Sequence, residues 1–309
     1  MSTCLRCRSR EVSAFVTISD LVPDIRTLSD RLAEVGYLTD AGLAAALFCA
    51  VRLPQPLLLE GEAGVGKTQA AKALAELLGT PLIRLQCFEG IDAAEALYEW
   101  NYPRQLLGIR LAEARGADLA EESLFGADYL IRRPLLAALQ HPGPMPAVLL
   151  IDEIDRADEE FEAFLFELLA ESTVTIPEIG TLTATHPPIV ILTSNRTRDL
   201  HDALKRRCLY HWIDYPPLPR ATAIVRSRVP EASPELASAI AGAVQRLRSL
   251  DLQKLPGVAE AIDWVNAATL MGLNVLDPDA VEATLGSVLK YREDHDVARE
   301  KGLAWIADA

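Results

Sequence analysis

The chain has 309 residues, of which 50% are hydrophobic and 24% are charged, a balance typical of a globular protein with a large core. Its formal net charge of −14 disfavours a broad nucleic-acid-binding surface. No apolar run approaches the roughly 18 residues that a membrane-spanning helix needs, and the first residues lack the apolar segment of a signal peptide, so we expect a cytoplasmic protein.

Residues 1–18 have weak periodicity and carry several arginines, which predicts a flexible N-terminal arm. Cys4 and Cys7 form a C-x-x-C pair there, but no second pair or C-x-x-H partner stands where it would complete a zinc site. A metal role of this pair is therefore disfavoured. The next stretch, residues 21–53, predicts two helices, the second over residues 40–51 with Asp40 as its N-cap.

A glycine-rich stretch follows the apolar run at residues 56–60 and opens a helical pattern over residues 69–78. Glycines permit the backbone to turn several amide N–H groups toward one centre, and the helix adds the positive end of its dipole. Lys67 would supply a charge for the β- and γ-phosphates of a nucleotide, and Thr68 a hydroxyl for Mg²⁺. A turn without a ligand is the alternative, but all fixed positions of the G-x-x-x-x-G-K-[ST] pattern are filled. The predicted nucleotide-binding residues are Gly61, Glu62, Ala63, Gly64, Val65, Gly66, Lys67, Thr68 and Gln69.

Two residues upstream of this loop are candidates for contact with the adenine base. In many P-loop ATPases the segment before the preceding helix passes over the adenine, and Tyr37 and Leu38 occupy that segment here.

The stretch from Cys87 to Gln140 is irregular and contains an aromatic cluster at residues 98–102. Exposed aromatic side chains in a long insertion would contact a partner or a threaded chain, whereas the alternative is that they pack on their own domain. The sequence leaves both interpretations open.

Five consecutive apolar residues, 147–151, predict a strand buried on both faces of a parallel sheet, and Asp152 and Glu153 follow it. Two carboxylates in this position are costly to bury unless a cation or a proton transfer uses them. We expect Asp152 to hold Mg²⁺ and Glu153 to orient and deprotonate the attacking water. A pair of helix-capping residues is the alternative, which the glycine-rich loop upstream disfavours.

An amphipathic helix is predicted over residues 158–171, and a β-hairpin over Thr173 to Thr183. A further strand, residues 188–193, is followed by Asn195. An amide at the carboxyl end of a strand, where α/β sheets place ligands, would sense the γ-phosphate or position the water.

A short helix over residues 200–207 ends in three cations, and a strand over residues 208–213 follows it. Basic residues favour a helix C-terminus in any case. The interpretation that we favour is an arginine finger, Arg206 or Arg207, delivered to the phosphoryl group of a neighbouring subunit. Cys208 and His211 have the spacing of metal ligands, but they flank an apolar run and are expected to be core residues.

Prolines at residues 216, 217 and 219 break the pattern, and only helical periodicity follows, over residues 221–228, 234–247, 258–271 and 278–295. The predicted fold is therefore an α/β domain over residues 19–216, with a parallel central sheet flanked by helices. A small all-helical lid domain over residues 217–309 completes it.

These motifs together resemble an AAA+ ATPase over about residues 20–295. The hairpin at residues 173–183 and the sequence Asp152-Glu153-Ile154-Asp155-Arg156-Ala157 resemble its MoxR branch. Residues 193–212 are most similar to the CoxD-type subgroup of that branch, and so are residues 255–260. The latter stretch lacks the usual arginine of the lid, for which Arg220 or Lys254 are the candidate substitutes.

The resemblance implies a hexameric ring that binds ATP and Mg²⁺ between subunits. MoxR-type proteins act as chaperones that mature metalloenzymes, often with a partner that carries a von Willebrand factor A domain, and CoxD-type proteins are linked to the molybdenum and copper centre of carbon monoxide dehydrogenase. A nucleic-acid motor is the alternative enzyme, and a nucleotide-gated switch without hydrolysis is the alternative binding protein. Glu153 argues against the switch, because a switch has little need of a carboxylate that activates water.

Overall fold

A computed structural model describes residues 17–116 and 121–308 of the chain. The predicted arm, including Cys4 and Cys7, lies outside the described residues except for its last two, and Ile18 already opens a short helix, α1 (Ile18–Leu21). Within the described residues, no helix combines the length and the apolar composition that crossing a bilayer requires.

The centre of the structure is a parallel sheet of five strands, whose spatial order is β2 (Leu82–Gln86), β5 (Val148–Asp152), β8 (Ile189–Ser194), β1 (Leu57–Gly61) and β9 (Leu209–Ile213). The three strands in the middle of this order are buried along their whole length or nearly so, as their apolar runs predict. The predicted α/β class with a parallel central sheet is confirmed.

Helices cover both faces of this sheet because successive strand residues point to opposite sides. Leu57 and Leu150 pack on one side with α2 (Ile25–Glu34), α3 (Ala41–Arg52) and α4 (Lys67–Leu78). Their neighbours Leu58 and Leu149 pack on the other side with helices that follow the second strand. Those helices are α5 (Ala93–Leu97), α8 (Pro134–Leu139) and α9 (Glu159–Glu171).

The irregular stretch between α5 and α8 contains a small antiparallel pair, β3 (Tyr98–Trp100) with β4 (Leu130–Arg132), and the helices α6 (Tyr102–Arg115) and α7 (Glu121–Leu124). Trp100 is buried and meets Phe125 edge to face at 5.2 Å between ring centroids. Tyr102, in contrast, is 60% exposed. The interpretation that the aromatic cluster packs on its own domain is therefore confirmed for Trp100, whereas contact of Tyr102 with a partner stays a prediction.

Besides α9 and β8, four short elements lie between β5 and β9. A 3-10 turn (Ile154–Arg156) follows β5, and the hairpin forms as predicted from β6 (Thr173–Ile176) and β7 (Gly180–Thr183). The helix α10 (Asp202–Arg207) then leads into β9.

The C-terminal region is helical and has a hydrophobic core of its own around the fully buried Trp264. The single helix expected over residues 278–295 is wrong in detail. The chain leaves the helix at Leu289, whose side chain lies in the core, and a new helix begins at Arg292. The helices of this region are α11 (Leu218–Arg228), α12 (Pro234–Leu247), α13 (Val258–Leu270), α14 (Pro278–Val288), α15 (Arg292–Lys301) and α16 (Leu303–Ala307).

Candidate active site

The carboxyl ends of β1, β5 and β8 meet at one edge of the sheet, and a cavity of about 390 Å³ lies there. Its wall contains Lys67, Asp152, Glu153 and Asn195, which come from three different strand ends or the loops that follow them. The C-terminal helices close the cavity from the other side. This is where open parallel sheets bind ligands, and the volume suits a nucleotide-sized molecule.

Two glycines determine the path of the loop after β1. A Cβ on Gly61 would lie 2.4 Å from the carbonyl oxygen of Ile213, so only glycine fits beside β9. Gly66 has a φ of +98°, in the left-handed region, and directly precedes α4. The loop thereby directs the amino end of a twelve-residue helix into the cavity.

Lys67 is buried and its ammonium group donates hydrogen bonds to the loop carbonyls of Gly61 and Glu62 at 2.6 and 2.7 Å. Burial lowers the pKa of Lys67, although carboxylates nearby, Asp155 first among them, oppose that shift. The charge is therefore held at the cavity by backbone oxygens, which a phosphate group would replace as the acceptor.

Asp152 ends β5 and is only 3% exposed. Its Oδ1 accepts a hydrogen bond from the hydroxyl of Thr68 at 3.1 Å and another from the hydroxyl of Thr193. A hydroxyl and a carboxylate that meet at a phosphate-binding loop are oxygen ligands of the kind that Mg²⁺ prefers. The donor set of Thr68 and Asp152 thus fits the predicted magnesium site.

Glu153 has a left-handed backbone, with φ 56° and ψ 50°. Its amide donates to the hydroxyl of Thr193 at 3.0 Å, which fixes this conformation. The carboxylate accepts hydrogen bonds from Gln86 at 3.0 Å and from Arg156 at 3.3 Å. It faces the cavity and is oriented by its neighbours, which is what a general base requires.

The other predicted nucleotide contacts fall into two groups. Tyr37, Leu38, Asn195 and Gln69 line the cavity, as do the loop residues from Ala63 to Thr68. Gly61 and Glu62 do not line it, and their carbonyl oxygens accept the hydrogen bonds from Lys67.

Tyr37 is buried, and its hydroxyl donates to the carbonyl of Gly66 at 3.3 Å. Burial raises the pKa of Tyr37 above its ordinary value, so the hydroxyl stays protonated and remains a donor. Tyr37 therefore stabilises the end of the phosphate-binding loop through its hydroxyl and also lines the cavity.

The C-terminal helices touch the loop directly. The amides of Val258 and Ala259, at the start of α13, donate to the carbonyl of Gly64 at 3.0 and 3.3 Å. A Cβ on Gly257 would lie 2.8 Å from the Cα of Gly64, so glycine allows this close approach.

Of the two candidates for the missing lid arginine, only Arg220 lies at the cavity. Its guanidinium is 2.9 Å from the carboxylate of Asp40, the N-cap of α3. Lys254 lies outside the cavity wall, and its amide donates to Asp294 at 3.3 Å. Lys254 is therefore disfavoured as the residue that takes the place of the lid arginine at the cavity.

Arg206 and Arg207 are not part of this cavity. They lie beside Pro54 and Pro56, which precede β1, at the opposite edge of the sheet. Since each five-residue strand is about 16 Å long, neither guanidinium reaches the cavity of its own chain. Arg207 lies over the ring of Phe166 at 4.3 Å, whereas Arg206 is exposed and makes no hydrogen bond or ion pair within the part of the chain that the structure describes.

Cys208 and His211 were expected to be core residues, but both are only half-buried. Burial raises the pKa of Cys208 to about 12. Among the described residues, no group of three or more His, Cys, Asp or Glu side chains is arranged to hold a metal.

Sequence reasoning missed several residues at the site. Arg84 and Gln86, both on β2, contact the carboxylates of Asp152 and Glu153 respectively. Arg228, on α11, lines the cavity. A signal for Arg228 existed, because Arg220, Ile224 and Arg228 repeat every four residues and so share one helix face. No such signal marked Arg84 and Gln86, since their role depends on which strand lies beside β2.

Residues 56–208 match a family model described as AAA domain (dynein-related subfamily). Midasin from Dictyostelium discoideum is 28% identical to the chain over 138 residues, which are 44% of this chain and about 2% of the length of midasin.

Solved structures of RuvB from Thermotoga maritima are also similar. A structure described as its Holliday junction branch migration motor is 15% identical, with a TM-score of 0.44, over 89% of this chain and 70% of that one. A RuvB mutant is 20% identical, with a TM-score of 0.46, over 79% of this chain and 66% of that one.

Proposed function

We propose that this chain, whose residues 56–208 match the model of an AAA domain, binds ATP with Mg²⁺ and hydrolyses it to drive the remodelling of a partner protein. The observation that carries the proposal is the convergence of Lys67, Thr68, Asp152, Glu153 and Asn195 on one cavity. These residues come from three separate stretches of the chain, and the proposal gives each of them a different role in binding or hydrolysis. A binding protein that only docks a nucleotide has no use for the last two.

Binding uses the amides of the loop from Ala63 to Thr68 and the ammonium group of Lys67, which exchanges its carbonyl acceptors for phosphate oxygens. Thr68 and Asp152 would hold Mg²⁺, which would supply positive charge to offset that of the phosphates.

Glu153 accepts the proton of the attacking water as the water oxygen bonds to the γ-phosphorus. The bond from that phosphorus to the bridging oxygen breaks, and ADP and inorganic phosphate leave. Asn195, at the end of the neighbouring strand, donates its amide to the water or to a γ-phosphate oxygen. Arg156 and Gln86 hold the Glu153 carboxylate in place until the substrate is bound.

An arginine from a second copy completes this site in the proposal. Arg206 and Arg207 lie at the edge of the sheet opposite to the cavity, and a ring of subunits presents one edge of each copy to the other edge of the next. Arg206 has the freer guanidinium, since Arg207 is stacked on Phe166. The proposed assembly is a hexameric ring, as the resemblance to MoxR-type proteins implies.

We infer that the energy of hydrolysis is used to remodel another protein, because the insertion has an exposed apolar surface. On α6, Tyr102, Leu106 and Leu107 are 60%, 61% and 58% exposed, and Leu111 is 46% exposed. Apolar side chains exposed together mark a contact surface for another protein. We propose a client of the metalloenzyme class, and a partner with a von Willebrand factor A domain, on the basis of the MoxR-type and CoxD-type sequence resemblance.

The proposal is tested by measuring ATP binding and hydrolysis by the wild-type chain, the Lys67→Ala variant and the Glu153→Gln variant. Lys67→Ala is expected to weaken ATP binding, because the only buried ammonium group at the described cavity is lost. Glu153→Gln is expected to bind ATP as the wild type does while its turnover falls by about 10² to 10⁴.

Glu160→Gln, which changes an exposed carboxylate of α9, is the matched control and should hydrolyse ATP normally. Normal turnover by Glu153→Gln would refute the assignment of the general base. DNA is expected to leave turnover unchanged, and stimulation with a steep salt dependence would favour a nucleic-acid motor instead.

A further inference from the structure

Arg84, on β2, makes a two-point contact with Asp152 on the neighbouring strand. Its Nε and Nη2 atoms donate to the same oxygen, Oδ2, at 2.9 and 2.6 Å. The carboxylate is only 5% exposed, whereas the arginine side chain is 50% exposed. An exposed cation thus reaches inward to neutralise the buried anion at the centre of the proposed magnesium site.

The two oxygens of Asp152 have different partners. Oδ1 takes its closest hydrogen bonds from the hydroxyls of Thr68 and Thr193, so it is committed to the loop and to β8. Oδ2 is held by Arg84, and otherwise only weakly by Thr68 at 3.4 Å. Oδ2 is therefore the oxygen that is better placed to bind a metal, and the guanidinium of Arg84 already occupies it.

We propose that Arg84 replaces Mg²⁺ as the counter-ion of Asp152 in the nucleotide-free chain and must leave Oδ2 when the metal is loaded. This inference rests on the proposed function, because it assumes that ATP and Mg²⁺ bind at this site. A buried carboxylate needs a cation in both states, since an unpaired charge away from water is costly. Arg84 supplies that cation while the site is empty, and its exposure leaves it room to swing out into solvent.

The test is the free Mg²⁺ concentration at which ATP binding reaches half of its maximal tightening, measured for the wild type and for Arg84→Gln with a fluorescent ATP analogue. Removal of the competing guanidinium is expected to lower this concentration by roughly five- to tenfold. ATP affinity at saturating Mg²⁺ should stay unchanged. The melting temperature of Arg84→Gln should fall without ligand and recover with Mg²⁺ and nucleotide, because the metal then neutralises Asp152.

Arg133→Gln is the matched control. It also removes a half-exposed arginine that pairs with a carboxylate, Glu99, but it lies in the insertion, so the Mg²⁺ dependence should not move. Arg84→Lys keeps the charge and loses the planar fork, and its Mg²⁺ requirement should lie between those of the wild type and Arg84→Gln. This variant also serves if Arg84→Gln does not fold.

An unchanged or a higher Mg²⁺ requirement in both Arg84 variants would overturn this inference and leave the proposed function intact. Weaker ATP binding at saturating Mg²⁺ would likewise overturn it, since Arg84 would then be a nucleotide contact. Absence of ATP binding by the wild type at every Mg²⁺ concentration would instead refute the proposed function itself.

Discussion

The backbone of Glu153 explains how two successive carboxylates serve one cavity. Neighbouring residues of a strand point to opposite faces of the sheet, yet Asp152 and Glu153 both line the cavity. The left-handed turn at Glu153 ends the alternation, at a cost of about 1 to 2 kcal/mol for a residue with a side chain. The hydrogen bond from its amide to Thr193 helps to offset that cost.

The pH dependence of ATP binding follows from Lys67. Burial lowers its pKa, and only the charged form attracts phosphate. We expect ATP affinity to be constant at neutral pH and to decline, as the pH rises, at a lower pH than the ordinary lysine value of about 10.4. Lys67→Arg is the control, because a guanidinium stays charged throughout this range. An affinity that declines equally in both proteins would show that Lys67 is not the group responsible.

The same shift has a consequence for stability. Since the folded chain binds the Lys67 proton less tightly than the unfolded chain does, this group makes the free energy of unfolding rise with pH between the lowered pKa and about 10.4. Bound phosphate would raise the pKa again and remove this dependence.

Residues in consecutive motifs were predictable from the sequence, whereas residues brought in by strand pairing were not. The loop at Lys67 and the carboxylates at Asp152 and Glu153 stand in local patterns whose chemistry is apparent from the spacing. Arg84 reaches Asp152 only because β2 pairs in parallel with β5. The sequence identifies each strand but not which strand lies beside it.

At the scale of elements, Asp40 joins a helix end to the C-terminal helices. Its carboxylate caps α3 by accepting from the amide of Leu43 at 2.8 Å, and it also pairs with Arg220 on α11. Burial opposes ionisation of Asp40, but these two partners outweigh it, so its pKa lies below the ordinary value. One side chain thereby links the helix before the phosphate-binding loop to the lid over the cavity.

Two variants of Asp40 separate its roles. Asp40→Ala removes both and is expected to lower the free energy of unfolding by about 1 to 2 kcal/mol, mostly through the lost cap. Asp40→Asn keeps the capping oxygen and loses the charge, so it should cost less. Denaturant unfolding at neutral pH measures the difference, and equal losses in the two variants would show that the cap contributes little.

The pH dependence of this contribution has a definite sign. Because the pKa of Asp40 is lowered in the folded chain, the stability that its charge provides is fully present above about pH 3.9. It is lost as the pH falls through the lowered value. Asp40→Asn should therefore show a smaller loss of stability on acidification than the wild type.

Helices and strands with a strong hydrophobic pattern were predictable from the sequence. Elements whose bounds depend on contacts with distant parts of the chain were not. The strands around residues 57, 148 and 189 are continuous apolar runs, and the structure has them within a residue or two of the expected bounds. The pair β3 and β4 was missed, because strands of three residues separated by two helices carry no local signal. Leu289 ends α14 early for the same kind of reason, since its side chain is required in the core of the C-terminal region.

At the scale of the whole molecule, the sheet separates the two halves of the proposed catalytic machinery. The cavity lies at the carboxyl edge of the strands and the arginine pair lies at the amino edge. In the proposed ring, one chain therefore holds an incomplete site together with the arginine that would complete the site of a neighbour. Sequence patterns predicted both halves, but only the parallel pairing of the strands shows that they lie at opposite ends of the sheet.

The central claim is that one active site is shared between two copies, and mixing inactive variants tests it most directly. Arg206→Ala and Arg207→Ala would each be assayed for ATP hydrolysis alone and after mixing with Glu153→Gln. In a mixed ring, the Glu153→Gln subunit lends its intact arginine to a neighbour whose Glu153 is intact. A second mixture, in which the Glu153→Gln chain also carries the same arginine substitution, is the control that should stay inactive.

We predict that at least one arginine variant is inactive alone and regains hydrolysis in the first mixture, while the control mixture does not. Full activity of both arginine variants alone would contradict the claim. So would inactivity of every mixture under conditions in which the wild-type chain hydrolyses ATP.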